Sequence, residues 1–224
     1  MNHTARTIEG THQEDHDRFL RRFKLKITPS DIEKLDYAYD MAKYGHRNQV
    51  RESGARYFEH VRATALILVD ELGITDLDIV TAALLHDMLE DNFLLTSSRI
   101  KVTFGERVAA LVSTITKPAK EDPRFKSNDE RHQWYFEQIR NGSPEAKIIK
   151  LADRLQNLRT LASCPSEKQI AKIKETNEVY LPLIADVAKE YPKKASYLLT
   201  QLEDALASLT NKITSSNQNP GHET

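Results

Sequence analysis

The sequence has few of the residues that build disulfides, tight turns and membrane spans. Cys164 is the single cysteine in 224 residues, which excludes an intramolecular disulfide and predicts a reducing compartment, the cytoplasm. Seven glycines and eight prolines are too few for the turn-rich sandwich, barrel and doubly wound folds. The longest apolar runs, such as residues 65–69, are too short to span a bilayer, and no secretory signal pattern opens the chain.

The sequence also lacks an excess of either charge. Its 32 basic and 33 acidic residues give a net charge of -1, so general attraction to nucleic acid is not indicated. We therefore expect neither a nucleic acid nor a membrane as a partner, and a homo-oligomer stays open.

What the sequence does contain is helical periodicity along most of its length. Apolar residues recur at helical spacing, and capping residues, glycines and prolines separate the segments. We predict an all-α helical bundle of about eight to ten helices over residues 27–209. A polar leader, mobile or forming a short peripheral helix, is expected over 1–26, and a disordered tail over 210–224.

A predicted helix over residues 76–91 carries the most informative pattern. Its half at 79–85 is almost wholly apolar, and His86, Asp87, Glu90 and Asp91 follow at spacings that place them along one side. Burying carboxylates this close together costs several kcal/mol each, a penalty that a bound cation removes. The pattern therefore favours a metal site over an exposed acidic helix end.

Two other predicted helices supply matching ligands. His60 lies at the start of the second helix, and Asp153 lies among apolar residues of a helix over about 144–161, although a surface ion pair with Arg154 is a plainer alternative. With His86 and Asp87 they form a set of two imidazoles and two carboxylates. Such a set suits Mn, Fe or Zn better than Ca. Glu90 and Asp91 then stand beside the metal, where they could orient or deprotonate a water.

Two polar loops could contact a phosphorylated ligand. The loop before the second helix contains Arg51, which can pair with phosphate or stack on a base, and Ser53-Gly54, which can donate to phosphate oxygens. The loop over 117–127 is basic and includes Lys117 and Lys120. Either loop could equally be an ordinary solvated turn.

Taken together, these motifs resemble the HD-type hydrolase domain of the RelA/SpoT homologues. The features that match are His60, the run His-Asp-x-x-Glu-Asp at 86–91, the run Lys-Leu-Ala-Asp-Arg-x-x-Asn-Leu-Arg-Thr at 150–160, and the loop over 46–60. The His-Asp pair alone marks a broad phosphohydrolase superfamily, whereas the other motifs narrow the resemblance to alarmone hydrolases. Because the chain ends before the synthetase and regulatory domains of the long forms, we expect a stand-alone small alarmone hydrolase with a single HD domain.

The resemblance implies a reaction and a role for each matching residue. The reaction is metal-dependent removal of the 3′-pyrophosphate from ppGpp or pppGpp, giving GDP or GTP, which lowers alarmone levels in the stringent response. Mn²⁺ is the implied cofactor, and other divalent transition metals stay open. The implied metal ligands are His60, His86, Asp87 and Asp153, the implied water-activating pair is Glu90 and Asp91, and the implied nucleotide contacts are Arg51, Ser53, Asn157 and Thr160, with Tyr57 beside them. We add Lys117 and Lys120 as substrate-binding residues.

Two alternatives stay open at this point. The same site could act on another nucleotide, such as ppApp or the 2′-phosphate of NADPH. The domain could also be a module that binds an alarmone without cleaving it, although the complete ligand set and the intact acidic pair disfavour that alternative.

Overall fold

The helices account for most of the chain in the computed structural model, which describes residues 16–23, 28–91 and 95–218. Within these ranges the fold is all-α, as predicted, and extended pairing is limited to one isolated bridge between Val50 and Arg56. None of the described helices is both long and apolar enough to cross a membrane. The α-helices are α1 (residues 16–21), α2 (Pro29–Gly45), α3 (Tyr57–Leu66), α4 (Leu77–Leu85), α5 (Met88–Asp91), α6 (Ser97–Phe104), α7 (Glu106–Ile115), α8 (Asn128–Arg140), α9 (Pro144–Thr160), α10 (Ser166–Glu175), α11 (Leu183–Glu190) and α12 (Pro192–Gln218). Short π- or 3₁₀-helical segments follow α3, α9 and α10, at Ile67–Glu71, Leu161–Ser163 and Thr176–Tyr180.

Helix α4 lies at the centre of the bundle. Asp76 caps its first turn, because the carboxylate accepts a hydrogen bond from the backbone N–H of Asp78 at 3.0 Å. Every residue from Ile79 to Leu85 is buried, and the helix packs against α2, α3, α7 and α9. A helix that is apolar on all sides can be stabilised only by such surroundings.

Helix α9 is also buried on most of its surface, but its sequence is not uniformly apolar. Ser143 caps its first turn, and Pro144 occupies the first helical position, where the missing N–H costs nothing. Lys150, Asp153 and Arg154 are buried along with the aliphatic residues of this helix. Buried charges need partners, so α9 brings the polar site into the core.

The structure corrects three predicted boundaries. The pattern Ser-Asp-Ile-Glu at 30–33 predicts a helix start capped by Ser30, but α2 is capped by Thr28, two residues earlier, because Pro29 takes the first helical position. The predicted helix over 76–91 is interrupted by a turn at His86 and Asp87, which separates α4 from α5. The predicted disorder from 210 onward is wrong for residues 210–218, which continue α12.

The extension of α12 has a local cause. Leu202, Leu206 and Leu209 are buried on one face, so the preceding turns are anchored on the core. The hydroxyls of Thr210 and Thr214 donate to backbone carbonyls four residues earlier in the same helix. The last six residues of the predicted tail, 219–224, lie outside the described residues.

The predicted leader is partly helical. Residues 16–21 form α1, which places Phe19 in the core against the ring of Tyr39, with the ring centres 5.2 Å apart. Residues 16–21 of the leader are therefore helical and contribute to the core. Residues 1–15 and 24–27 lie outside the described part of the chain.

Candidate active site

One cavity of about 420 Å³ opens where α3, α5, α9 and α10 meet the loops before α3 and α8. Acidic and imidazole groups gather at its floor, and basic groups surround them. The charged and polar residues that line it include Arg51, Glu52, Ser53, Tyr57, His60, Asp87, Glu90, Lys117, Lys150, Asp153, Arg154, Asn157, Thr160, Lys168, Lys172 and Glu175.

Three of the four predicted metal ligands, His60, Asp87 and Asp153, line this cavity, and the buried His86 adjoins them. The Nε2 atom of His60 lies 3.2 Å from Asp153 Oδ1 and 3.8 Å from Asp87 Oδ2. The Nε2 atom of His86 lies 3.1 Å from Asp87 Oδ2 and 3.9 Å from Asp153 Oδ1. Both histidines therefore point the same nitrogen at the same pair of carboxylates.

The turn between α4 and α5 helps to place two of these side chains. It occurs at His86 and Asp87 themselves, where the regular bonding of α4 gives way to a bond from Glu90 N–H to the Asp87 carbonyl at 3.2 Å. The Nδ1 atom of His86 lies 2.7 Å from the Ala83 carbonyl, which can only accept, so Nδ1 carries a proton. The site thus uses a helix break rather than the continuous helical face that the sequence suggested.

The cluster fits a divalent transition metal on its own chemistry. His86 Nε2 is fully buried and has no hydrogen-bond partner, although it faces a carboxylate oxygen. A buried nitrogen without a partner is costly, and coordination to a cation would satisfy it. Imidazole nitrogens together with carboxylate oxygens form a donor set that suits Mn, Fe or Zn. Among the described residues, His60, His86 and Asp153 have donor atoms within 4.8 Å of one another.

Each of the four candidate ligands is held by a neighbour. Tyr57 OH donates to Asp87 Oδ2 at 2.6 Å, Asn157 Nδ2 donates to Asp153 Oδ1 at 2.6 Å, His60 Nδ1 contacts Gln156 Oε1, and His86 Nδ1 donates to the Ala83 carbonyl. Lys150 Nζ forms an ion pair with Asp153 Oδ2 at 2.8 Å. Such outer contacts orient metal ligands and tune their basicity.

The charges at the floor shift one another's pKa values. Burial alone would raise the pKa of Asp153, but the Lys150 ammonium and the two imidazoles hold it well below its usual range. Burial likewise opposes the charge on Lys150, yet Asp153 raises the Lys150 pKa well above its usual value. Burial disfavours protonation of His86, but the attraction of the Asp87 carboxylate is stronger than this effect and raises the His86 pKa to about 9. A cation at Nε2 would displace that proton.

Glu90 stands beside the ligand cluster and lines the cavity. Its Oε1 accepts a hydrogen bond from the Lys117 backbone N–H at 2.8 Å, which ties α5 to the basic loop. Burial and the nearby Asp87 carboxylate raise the pKa of Glu90 to about 7. A carboxyl with a pKa near neutrality is suited to accept and release protons. The side chain of Asp91, the other half of the predicted pair, lies outside the described residues.

The loop before α3 takes its shape from one glycine. Gly54 has a φ of +80°, in the left-handed region that favours glycine, and its N–H donates to the Arg51 carbonyl at 2.8 Å. This turn presents Ser53 to the cavity as an exposed side chain and directs Arg51 toward α9. Tyr57, expected beside the nucleotide, lines the cavity and also supports the candidate ligand Asp87.

The remaining predicted substrate contacts fall into two groups. Asn157 and Thr160 on α9 and Lys117 on the basic loop line the cavity. Lys120 is exposed and is not among the residues that line it, so its predicted substrate-binding role receives no support from the geometry.

Several cavity residues were given no role from the sequence. Arg154 is buried, pairs with Glu175 at 3.0 Å and lies 3.9 Å from the ring centre of Tyr180. Charged residues recurring within the apolar core helix α9 are a signal that could have identified Lys150 and Arg154. Nothing in the local sequence separates Lys168 and Lys172 from ordinary surface lysines, because only the tertiary fold brings them to the cavity.

Comparison with known proteins identifies the family of this chain. A family model described as HD domain matches residues 38–187. The guanosine-3′,5′-bis(diphosphate) 3′-pyrophosphohydrolase of Aquifex aeolicus is 38% identical over 171 residues, covering 76% of this chain and 23% of the relative. The human enzyme of the same name, MESH1, is 39% identical over 140 residues, covering 62% of this chain and 75% of MESH1.

The fold of this chain also matches that of a solved structure. It is a metazoan ortholog of SpoT that hydrolyses ppGpp and plays a role in starvation responses, and it matches with a TM-score of 0.60 at 27% identity. The match covers 78% of this chain and 94% of that one. The chain spans about a quarter of the length of the long bacterial and plant relatives. It belongs to the HD-domain family and is related within it to the MESH1-type and SpoT-type hydrolases.

Proposed function

We propose that this protein is a metal-dependent (p)ppGpp 3′-pyrophosphohydrolase, converting ppGpp or pppGpp to GDP or GTP and pyrophosphate. The observation that carries the proposal is the convergence of His60, His86, Asp87 and Asp153 on one buried point, with His86 Nε2 lacking a hydrogen-bond partner. The names of the Aquifex and human relatives supply the substrate.

The four converging side chains would hold the cation, and we propose Mn²⁺. Bound there, a divalent cation supplies Lewis acidity that makes a water more acidic and draws charge from phosphoryl oxygens. Tyr57, Asn157 and Lys150 hold the carboxylates in place through the contacts described above. The mixed nitrogen and oxygen donor set supports Mn²⁺ over Ca²⁺.

Glu90 would accept the proton of the attacking water. Its raised pKa and its position on the cavity wall suit a general base. The water oxygen forms a bond to the phosphorus that is attached to the ribose 3′-oxygen, and the bond between that phosphorus and the 3′-oxygen breaks. The 3′-oxygen then takes up a proton, so the products are the nucleoside 5′-diphosphate or 5′-triphosphate and free pyrophosphate. Asp91 stays a proposed partner of Glu90 in this step.

The basic residues around the cavity would bind the phosphate groups. Lys117 lies at the wall next to Glu90, and Lys172 also lines the cavity, with its Nζ 2.7 Å from Glu175 Oε2. Their charges would stabilise phosphoryl oxygens during the transfer. Ser53, Asn157 and Thr160 would contact the sugar or the phosphates. Arg51, whose guanidinium carbon lies 5.9 Å from the Tyr57 ring centre, would form a wall for the purine together with that ring.

The experiment that tests this function is a substrate panel. Pure protein is incubated with ppGpp, pppGpp, ppApp and NADPH, each with Mn²⁺ and with a chelator, and the products are identified. We expect Mn²⁺-dependent release of pyrophosphate from ppGpp and pppGpp. Faster turnover of ppApp or NADPH would reassign the substrate, and tight ppGpp binding without pyrophosphate release would make the domain a binding module.

A role in the stringent response and a cytoplasmic location belong to this proposal. Both follow from the proposed substrate, because the enzyme would lower the alarmone level where ppGpp accumulates. Measuring ppGpp in starved cells with and without the active protein tests this point.

A further inference from the structure

Arg51 reaches from its loop to two neighbouring amide side chains on α9. Its Nη2 donates to Asn157 Oδ1 at 2.6 Å, and its Nη1 donates to Gln156 Oε1 at 3.3 Å. Each amide also touches a candidate metal ligand, since Asn157 donates to Asp153 and Gln156 contacts His60. The Arg51 guanidinium is therefore linked to Asp153 through Asn157 and to His60 through Gln156.

The chemistry of arginine fixes which way both amides face. A guanidinium can only donate, so the amide atoms that face Arg51 must be the carbonyl oxygens. The oxygen of Gln156 that faces Arg51 is the same oxygen that faces His60 Nδ1, so that ring nitrogen must carry a hydrogen. His60 is left with Nε2 as the nitrogen that can bind a cation, and this is the nitrogen that faces Asp153.

The second amide follows the same logic. With its oxygen turned to Arg51, Asn157 must present its NH₂ group to Asp153 Oδ1. Were the amide flipped, its oxygen would face a carboxylate oxygen and repel it. The hydrogen bond from Arg51 therefore keeps the NH₂ group of Asn157 turned toward Asp153 Oδ1, where it holds that carboxylate in place.

We propose that Arg51 is a positioning residue for the metal site, acting through Gln156 and Asn157, and that it couples cation binding to the order of loop 49–57. This inference rests on the metal site of the proposed function and adds a role to the nucleotide contact proposed above for Arg51. Coupling of this kind is reciprocal: whatever orders the loop tightens cation binding, and cation binding orders the loop.

The local structure is suited to transmit this coupling. Gln156 is 9% exposed and His60 is 2% exposed, so their contact is shielded from water. The loop is closed on itself by backbone bonds from Arg51 N–H to the Ala55 carbonyl at 2.8 Å and from Tyr57 N–H to the Gln49 carbonyl at 3.0 Å. Because the loop is closed in this way, fixing the Arg51 side chain restrains the whole turn.

Calorimetric titration of the full chain with Mn²⁺, without any nucleotide, tests the proposal. Gln156→Leu should weaken Mn²⁺ binding by about 10- to 100-fold, the range seen when an outer partner of a metal ligand is removed. Gln156→Glu keeps an acceptor toward both donors and should bind about tenfold more tightly than Gln156→Leu. That recovery would separate a positioning role from mere loss of packing.

Arg51→Met should weaken Mn²⁺ binding by about tenfold or more. The matched control is Arg47→Met, since Arg47 lies over the Tyr44 ring and bonds to the Tyr44 carbonyl. Because Arg51 acts partly through Gln156, the double variant Arg51→Met/Gln156→Leu should lose less affinity than the two single losses combined.

Hydrogen exchange supplies a readout of the loop itself. Mn²⁺ should slow amide exchange over 49–57 in the wild type and should fail to do so in Arg51→Met. Wild-type Mn²⁺ affinity in Arg51→Met, or strictly additive losses in the double variant, would overturn the inference even if the protein hydrolyses ppGpp. Conversely, a protein that binds Mn²⁺ with this coupling but cleaves no alarmone would reject the proposed reaction and leave the inference standing.

Discussion

Histidine meets carboxylates at two places in this molecule, and the two places differ in burial. At the cavity floor, the Asp153 side chain is 7% exposed and the His86 side chain is completely buried. Near the start of the described chain, His16 forms an outer cluster with Asp36 and Asp40, and the Asp36 side chain is 44% exposed. Both clusters contain residue types that bind metals.

The difference shows that the types of residue do not by themselves define a metal site. In the outer cluster, His16 Nε2 lies 2.8 Å from Asp36 Oδ1 and the His16 ring stacks on Tyr39, while the Asp36 and Asp40 side chains keep part of their surface in water, so their charges stay hydrated. At the cavity floor, both carboxylates and both imidazoles are buried. There a cation offsets a cost that solvent cannot offset.

The largest effect is expected from Asp153→Ala. It removes a proposed ligand and also leaves the buried Lys150 without its ion pair, which costs about 3–5 kcal/mol of stability in comparable cases. We expect Mn²⁺ binding and hydrolysis to be lost and the melting temperature to fall, with the helical circular dichroism signal kept at low temperature. Asp87→Asn is the control, because it removes a proposed ligand but not the Lys150 partner. Full Mn²⁺-dependent activity in either variant would reject the ligand assignment.

Glu90→Gln should separate catalysis from cation binding. The amide keeps an acceptor for the Lys117 backbone N–H but cannot take up a proton. We expect Mn²⁺ affinity close to that of the wild type and a kcat lower by on the order of 10²-fold, the usual contribution of a general base. An unchanged kcat would remove Glu90 from the reaction.

The pH dependence of substrate capture should reveal Lys117. Burial, followed by the nearby Arg131, lowers the Lys117 pKa to about 8, so the ammonium loses its proton as the pH rises through that value. We expect kcat/KM to fall above about pH 8, since this parameter follows ionisations of the free enzyme. Lys117→Arg, which stays charged, should hold kcat/KM higher over the same range. Identical profiles in the two proteins would exclude phosphate binding by Lys117.

The smallest effect is expected at the outer cluster. Asp36→Asn should leave Mn²⁺ stoichiometry unchanged and alter stability by only about 0.5 kcal/mol, as is usual for surface substitutions. Calorimetric titration and thermal melting of the variant check both points. If this substitution removed a bound Mn²⁺, burial would not be what distinguishes the two clusters.

The sequence was sufficient to predict that His86 and Asp87 lie in the core, because the cues at that place are local. The apolar run before His86 predicts a buried helix, and buried carboxylates need a positive charge or hydrogen bonds to offset the cost of burial. The same local reasoning could not foresee the turn at His86 and Asp87. Both residues are compatible with a helix, and no glycine or proline lies near them in the sequence.

Some of the residues that surround the candidate ligands could not be predicted from the sequence. Lys117 and Lys120 lie three residues apart in one loop and look equivalent, yet only Lys117 lines the cavity. Gln156 has no distinctive sequence context, and its contact with His60 spans 96 positions of the chain. Such contacts become visible only once the helices are assembled.

Lys150 also bears on the order in which the protein folds and acquires its cation. Because its ammonium already neutralises Asp153 from the Oδ2 side, the core can assemble around these carboxylates before any cation arrives. Oδ1 meanwhile faces the histidines. Domains whose core depends on the ion for its assembly unfold when a chelator removes it. Here an internal counter-ion would let the folded chain exchange its metal with the surrounding solution.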